Sequence, residues 1–321
     1  MHTPPISKSL KDFIFNICNV SEHAAIASYH MAGRGDEKQA DQVAVDAMRT
    51  KLMQMDIDGT VVIGEGERDK APMLYIGERV GVGQLKVDIA LDPLEGTTLC
   101  AHLKPNALSV LAVAEQGGFL HAPDLYMKKI AVGPHIDQDA IDLDYPISKN
   151  LDHLAQSLNR DISDLCVSVL ERERHKAIIE QIRQAGARIQ LIPDGDVAAV
   201  IATTLENHIV DMYIGIGGAP EGVLAAAALA CTGGFMQARL CFDDQAKIER
   251  ATKMGIDDIK HKYSRADLAK GNIVFSASGV SDGFLVEGVK LDGQKMTTQT
   301  LLMHNIGTPQ IQYIKTQNPT C

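Results

Sequence analysis

An apolar strand that ends on two carboxylates constrains this chain more than any other feature. The stretch VDIALDPLEGTT runs from Val87 to Thr98. Strand alternation sends Val87, Ile89 and Leu91 to one face and Asp88, Ala90 and Asp92 to the other. Pro93 is expected to stop the strand. A core strand that delivers Asp92 and Glu95 into the protein must bring them to something that compensates their charge, because an unpaired buried carboxylate is costly.

The same address recurs. Glu65 and Glu67 follow TVVIG, Asp194 and Asp196 follow RIQLIP, and Glu221 follows VDMYIGIGGAP at the start of an Ala-rich helix. In α/β structures, ligand crevices lie outside strand C-termini, so acids distant in sequence can converge there. Converging carboxylates repel unless a cation lies between them. Mg²⁺ and Mn²⁺ take oxygen ligands and fit; the absence of a His/Cys cluster argues against zinc or copper. Each acid taken singly reads more readily as a loop or cap residue. Four strand ends sharing the pattern favour a site.

Leu10, Phe13, Ile14, Ile17 and Val20 predict a first helix over about Ser9–Met31. Gly33 and Gly35 make a turn, Asp36 is a plausible N-cap, and a second helix follows to about Met55. On it Asp41, Val45, Met48 and Leu52 share one face, so Asp41 heads an apolar stripe. It either reaches water at the edge or faces a cation. Residues 106–134 read as two strands with a Gly-Gly turn. Near residue 135 the texture turns polar and acidic, which divides the chain into 1–134 and 135–321. Beyond that point strands alternate with helices, predicting a largely parallel sheet. From about Lys270 short strand-like runs return, and the pattern leaves open which sheet they join.

With no Trp and 4% aromatics, the core must be built from Val, Ile, Leu, Ala and Met. A net charge of -10 argues against nucleic acid and anionic membranes as partners. Six Cys without disulfide or zinc spacing read as reduced thiols of a cytoplasmic protein. The N-terminus has no signal-peptide character, and VLAAAALAC is too short to span a bilayer. GIGGAPEG fails the dinucleotide fingerprint because Pro220 stands where Gly is needed; it can still offer backbone N–H groups to an anion.

DPLEGT resembles the signature of the lithium-sensitive, metal-dependent phosphatase superfamily. With GRGDEKQAD, IDGTVVIGEGERDKAPMLYIGE, NALSVLAV, APDLYM, IPDGDVAA and GIGGAPEGVLAAA in order, the chain resembles the bacterial class II fructose-1,6-bisphosphatase family. The resemblance implies the layered αβαβα sugar-phosphatase architecture with two subdomains. The first is a metal-binding subdomain; the second contributes substrate contacts and one metal ligand, and its C-terminal strands can return to the first. It also implies hydrolysis of the 1-phosphate of D-fructose 1,6-bisphosphate, with Mn²⁺ or Mg²⁺ as cofactor, in a homodimer or homotetramer. The family's metal-binding acids fall on Asp41, Glu65, Asp92, Glu95 and Glu221. Catalytic roles fall on Thr97, Glu95, Asp41 and Glu65. Substrate contacts fall on Glu95, Gly96, Thr97, Tyr126, Asp194, Asp196 and Gly218. One block departs: where the family often has Lys-Pro-Arg-His, this chain has RERHK, with Arg172 for the Lys and Glu173 for the Pro. Arg172 and Arg174 can still clamp the non-reacting phosphate. Alternatives are a dual fructose/sedoheptulose bisphosphatase, an inositol-monophosphatase-like enzyme, or a sugar-phosphate binding protein without turnover.

Overall fold

The computed structural model describes residues 8–66, 73–206 and 210–319. Glu67 lies outside the described residues. The chain opens with a 3₁₀ turn, Leu10–Phe13, then α1 (Ile14–Tyr29), α2 (Glu37–Gln54), β1 (Asp58–Ile63), β2 (Arg79–Val80), β3 (Lys86–Glu95), α3 (Thr97–Ala101) and β4 (Leu108–Glu115). Its middle holds β5 (Tyr126–Val132), α4 (Ile147–Leu158), β6 (Cys166–Leu170), α5 (Lys176–Ala185), β7 (Arg188–Ile192), α6 (Asp196–Ala202), β8 (Met212–Gly218), α7 (Ala219–Thr232) and β9 (Phe235–Leu240). It closes with α8 (Gln245–Lys253), β10 (Tyr263–Ser264), α9 (Arg265–Leu268), β11 (Ile273–Gly279), β12 (Lys290–Asp292), β13 (Lys295–His304) and β14 (Gln310–Pro319).

Local chemistry sets the helix ends. Asp36 caps α2 by accepting from the Gln39 N–H at 3.0 Å, as expected. Val45, Met48 and Leu52 are buried along its inner face. The first helix starts later than its apolar spacing suggests: Ser9 and Asp12 close a capping box around the 3₁₀ turn, and α1 begins at Ile14.

Two sheets stack with helices between and outside them. An eight-stranded sheet has the order β12-β13-β11-β4-β3-β1-β2, with β14 also on β13; a six-stranded sheet has the order β10-β9-β5-β8-β6-β7. Alternate strand residues feed different cores. Val87, Ile89, Leu91, Leu111 and Val113 pack under α1 and α2. Ala90, Val110, Ala112, Met127 and Ala131 face the layer between the sheets, filled by α6 and α7. Ile130, Val132, Val167 and Val169 face α4 and α5. The result is the layered αβαβα architecture.

Several strand pairings differ from local expectation. Gly117-Gly118 does not close a hairpin; it sends the chain from β4 in the first sheet to β5 in the second. The second sheet is mixed: β7, β6 and β8 are parallel, whereas β5 runs antiparallel to both β8 and β9. α7 connects β8 to β9, and β5 is inserted between those two strands. Because β5 ends at Val132, the change of sheet precedes the compositional break near 135, and β11–β14 return to the first sheet.

β3 does not stop at Pro93. Its register against β4 shifts between Asp92, opposite Val110, and Glu95, opposite Leu108. Three steps on β3 match two on β4, which is a β-bulge, and Pro, lacking an N–H, is tolerated there. Residues three apart on a regular strand face opposite ways. The extra residue restores the phase, so Asp92 and Glu95 present their carboxylates on the same side.

Candidate active site

The acids converge at the layer between the sheets. Carboxylate oxygens of Asp92, Glu95 and Glu221 all lie within 4.8 Å of one another. Asp92 and Glu95 arrive on the bulged end of β3; Glu221 arrives on the first turn of α7. The Leu94 N–H donates to Asp92 Oδ1 at 3.1 Å, which orients that carboxylate within the bulge. Gly96 follows at φ +85°, a left-handed conformation that glycine adopts without strain, and Thr97 begins α3 half-buried.

Asp41 and Glu65 stand outside this tight cluster but next to it. Burial pushes the Glu65 carboxyl up to about 8, and the charges of Asp92 and Asp41 add to the rise. Burial likewise pushes Asp41 up to about 6, with Asp92 contributing. Glu221 is pushed up to about 7 by burial, with Lys129 opposing and Asp196 and Asp92 reinforcing. Burial, then the neighbouring Asp92, raises Glu95 well above the carboxylate range. A cavity of about 200 Å³ opens between Glu65, Asp92, Asp124 and Glu221.

The donor set suits a hard divalent cation. Every candidate ligand is a carboxylate oxygen, and Glu221 Oε2 is buried with no hydrogen-bond partner. Such an orphaned acceptor beside two further acids is what a cation would satisfy.

A second group gathers on the adjoining edge of the six-stranded sheet. Tyr126 opens β5 opposite Gly218 of β8. The Arg174 guanidinium lies 4.6 Å from the Tyr126 ring centroid, and its Nε donates to Ile216 O at 2.9 Å. Arg172 donates to Pro193 O and lies 3.7 Å from Asp194 Oδ1. Burial raises the Asp194 carboxyl, with Arg172 pulling it back. Glu173 does not disturb this arrangement: it is exposed and pairs with Lys176 at 2.7 Å. Asp196 links the two groups, because its charge is felt by Asp92, Glu95 and Glu221.

Two contributors escaped the sequence reading. His175 is buried; Ile216 N–H donates to its Nε2 at 2.8 Å, so the proton sits on Nδ1, 2.7 Å from Leu170 O. Burial lowers its pKa and keeps the ring neutral. It ties the loop carrying Arg172 and Arg174 to β8. Lys129 is 0% exposed and pairs with Asp196 at 2.5 Å. Its signal was legible: in YMKKIAV it falls in phase with Met127 and Ala131, on the strand face that enters the central layer.

The glycines of GIGGAPEG also acquire a reason. A Cβ at Gly217 would lie 2.2 Å from Asp196 Oδ2, and one at Gly218 would lie 1.9 Å from Glu221 Oε2. Both positions must be bare so that acidic side chains can pack against the backbone.

The sequence profile of the family described as bacterial fructose-1,6-bisphosphatase, glpX-encoded, matches residues 11–318. Fructose-1,6-bisphosphatase 1 class 2 of Escherichia coli (strain K12) is 45% identical over 308 residues, covering 91% of this chain and 91% of that one. D-fructose 1,6-bisphosphatase class 2/sedoheptulose 1,7-bisphosphatase of Synechococcus sp. (strain JA-3-3Ab) is 44% identical over 313 residues, covering 89% and 90%. Among solved structures, an inositol monophosphatase from Anabaena (Nostoc) sp. PCC 7120 aligns with a TM-score of 0.33 at 13% identity, over 60% of this chain and 72% of that one. With matches that span nearly its whole length, the chain belongs to the bacterial, glpX-encoded fructose-1,6-bisphosphatase family.

Proposed function

We propose that this protein hydrolyses the 1-phosphate of D-fructose 1,6-bisphosphate, giving fructose 6-phosphate and phosphate, at the junction of the two acidic groups. The observation that carries the reading is the cluster of Asp92, Glu95 and Glu221, with Glu221 Oε2 unpartnered, beside an edge bearing Arg172 and Arg174. Family membership supports the same activity.

Asp92, Glu95 and Glu221 would hold one divalent ion, and Asp41 with Glu65 a second. Mn²⁺ or Mg²⁺, when bound, neutralises phosphoryl oxygens and acidifies a water. The chain's own residues do the positioning. Gly96 turns the backbone so that Glu95, Gly96 and Thr97 face the reacting phosphate, with the Thr97 hydroxyl available to it. Glu95, Asp41 and Glu65 complete the acidic wall around the reacting centre. Arg172 and Arg174 hold the non-reacting phosphate; each guanidinium is pre-oriented by a backbone carbonyl, and Arg174 also by the Tyr126 face. Pre-orientation lowers the ordering cost of binding. Tyr126, Asp194, Asp196 and the Gly218 backbone meet the sugar between the two phosphates. Among the described residues no helix is long and apolar enough to cross a membrane. Among the described residues five Cys lie free, as expected of reduced thiols, and this supports an assignment to the cytoplasm.

The test is phosphate release from fructose 1,6-bisphosphate with Mn²⁺, with Mg²⁺ and in EDTA. Release that needs metal and falls in EDTA is expected; metal-independent release, or none with either ion, overturns the reading. The cyanobacterial relative's name carries a second substrate, sedoheptulose 1,7-bisphosphate, which the same assay tests directly.

A further inference from the structure

Lys129 is the one lysine buried among the described residues, and the reaction as outlined does not use it. It sits in β5, the strand inserted between β8 and β9, and points into the central layer. Its ammonium makes two contacts. One is the pair with Asp196 Oδ2 at 2.5 Å, at the first residue of α6; the other is a hydrogen bond to Gly218 O at 3.0 Å, at the entrance to α7. Asp196 Oδ2 also accepts from Tyr213 OH at 2.9 Å. Neighbouring backbone is cleared for this junction: a Cβ at Gly217 would lie 2.9 Å from Lys129 Nζ, and one at Gly222 would lie 3.4 Å from Lys129 Cδ.

The Gly218 carbonyl matters because Glu221 rests on that residue. Glu221 Oε2 lies so near the Gly218 Cα that no side chain would fit between them. Holding Gly218 therefore holds the floor under Glu221, and holding Asp196 fixes the acid that joins the two groups. We propose that Lys129 is a positioning residue: a built-in cation that locks the start of α7 to the start of α6 and so sets the metal-ligand acids relative to the substrate-side acids. It takes the place beside Asp196 that a metal ion would otherwise claim, which leaves the ion to Asp92, Glu95 and Glu221. The assignment deepens the proposed function and rests on that cluster being the metal site.

The experiment measures Mn²⁺ binding by calorimetry without substrate, kcat and KM at saturating Mn²⁺, and thermal unfolding in EDTA, for the full chain and for Lys129→Met. Loss of groups that orient metal ligands typically weakens metal binding by about tenfold to a hundredfold. That loss is expected here, with kcat lowered even at saturating Mn²⁺. A folded variant with lowered unfolding temperature but unchanged Mn²⁺ affinity and kcat would show a structural role only and overturn the assignment. Should Lys129→Met fail to fold, Tyr213→Phe decides. It leaves every charge in place and removes one of the two groups that hold Asp196 Oδ2 in the junction, so a weakening of Mn²⁺ binding by about fivefold is expected, and unchanged binding overturns the proposal. If the unmutated chain binds no Mn²⁺, the metal-site reading itself fails. If it binds and the variants match it, only the role of Lys129 fails.

Discussion

Stripping metal from this protein should make its stability fall as pH rises from 6.5 to 8.5. Glu65 is pushed up to about 8 and Glu221 to about 7, against 4.5 for an ordinary Glu. In this window the unfolded chain holds both groups ionised, whereas the metal-free native state keeps a proton on each until its raised pKa is passed. A native state that binds more protons than the unfolded state loses stability as pH rises. Each such proton changes stability by about 1.4 kcal/mol per pH unit. Glu65 acts over most of the window and Glu221 over its lower part, so these two groups give a loss of roughly 3 kcal/mol, or about 4 °C in unfolding temperature. Glu95, held well above 4.5 by burial, adds a change of the same sign, and so do the raised Cys18, Cys100 and Cys231 thiols near the top of the window, where free thiols begin to ionise; His175, whose pKa burial lowers, opposes weakly near pH 6.5. The assay is thermal unfolding of EDTA-treated protein across the window, repeated with Mn²⁺. Bound cation keeps these carboxylates ionised in the native state, as they are in the unfolded chain, so the loaded protein should show little slope over the window, and Glu65→Gln should flatten most of the metal-free slope. A metal-free profile that is flat or rises from 6.5 to 8.5 would refute the reasoning.

Replacing Arg172 and Arg174 together by Ala should raise KM for fructose 1,6-bisphosphate at least tenfold, because charge-assisted contacts to one phosphate are lost. KM for a sugar monophosphate should change far less, and equal changes would count against the clamp. Glu221→Ala should abolish Mn²⁺ binding at the Asp92–Glu95 site and phosphate release while circular dichroism stays native; full activity would remove it from the metal site. Gly217→Ala should disable the enzyme although it adds one methyl, because that methyl would lie 2.2 Å from Asp196 Oδ2; kcat within twofold of the unmutated chain would contradict the packing. Asp36→Ala should cost about 1 kcal/mol in denaturant unfolding by removing the α2 cap, with kcat unchanged.

Much of this architecture is written locally. Asp36 and the Val45–Met48–Leu52 stripe are enough to place α2, since capping and helical phase depend on neighbours within a few residues. The face alternation of VDIALD is equally local, and Ala90 and Ile89 do enter different cores. Carboxylates at strand ends are visible in the same way, which is why Asp92, Glu95 and Glu221 could be selected before any contact was known.

Strand pairing between distant segments is what the chain's local pattern does not contain. Nothing near Tyr126–Val132 specifies insertion between β8 and β9, about 80 and 105 residues later; that choice is made by the fit of whole layers. It is this insertion that carries Lys129 between Asp196 and Gly218. Pro93 shows the same limit on a smaller scale. A proline in a strand signals either an end or a bulge, and only the pairing of β3 with β4 selects the bulge that turns Glu95 to the side of Asp92. Residue identities and short-range geometry set which chemistry is available, because they depend on bonds along the chain. Which of those groups meet depends on burying apolar faces contributed from far apart, and that is decided only when the layers close.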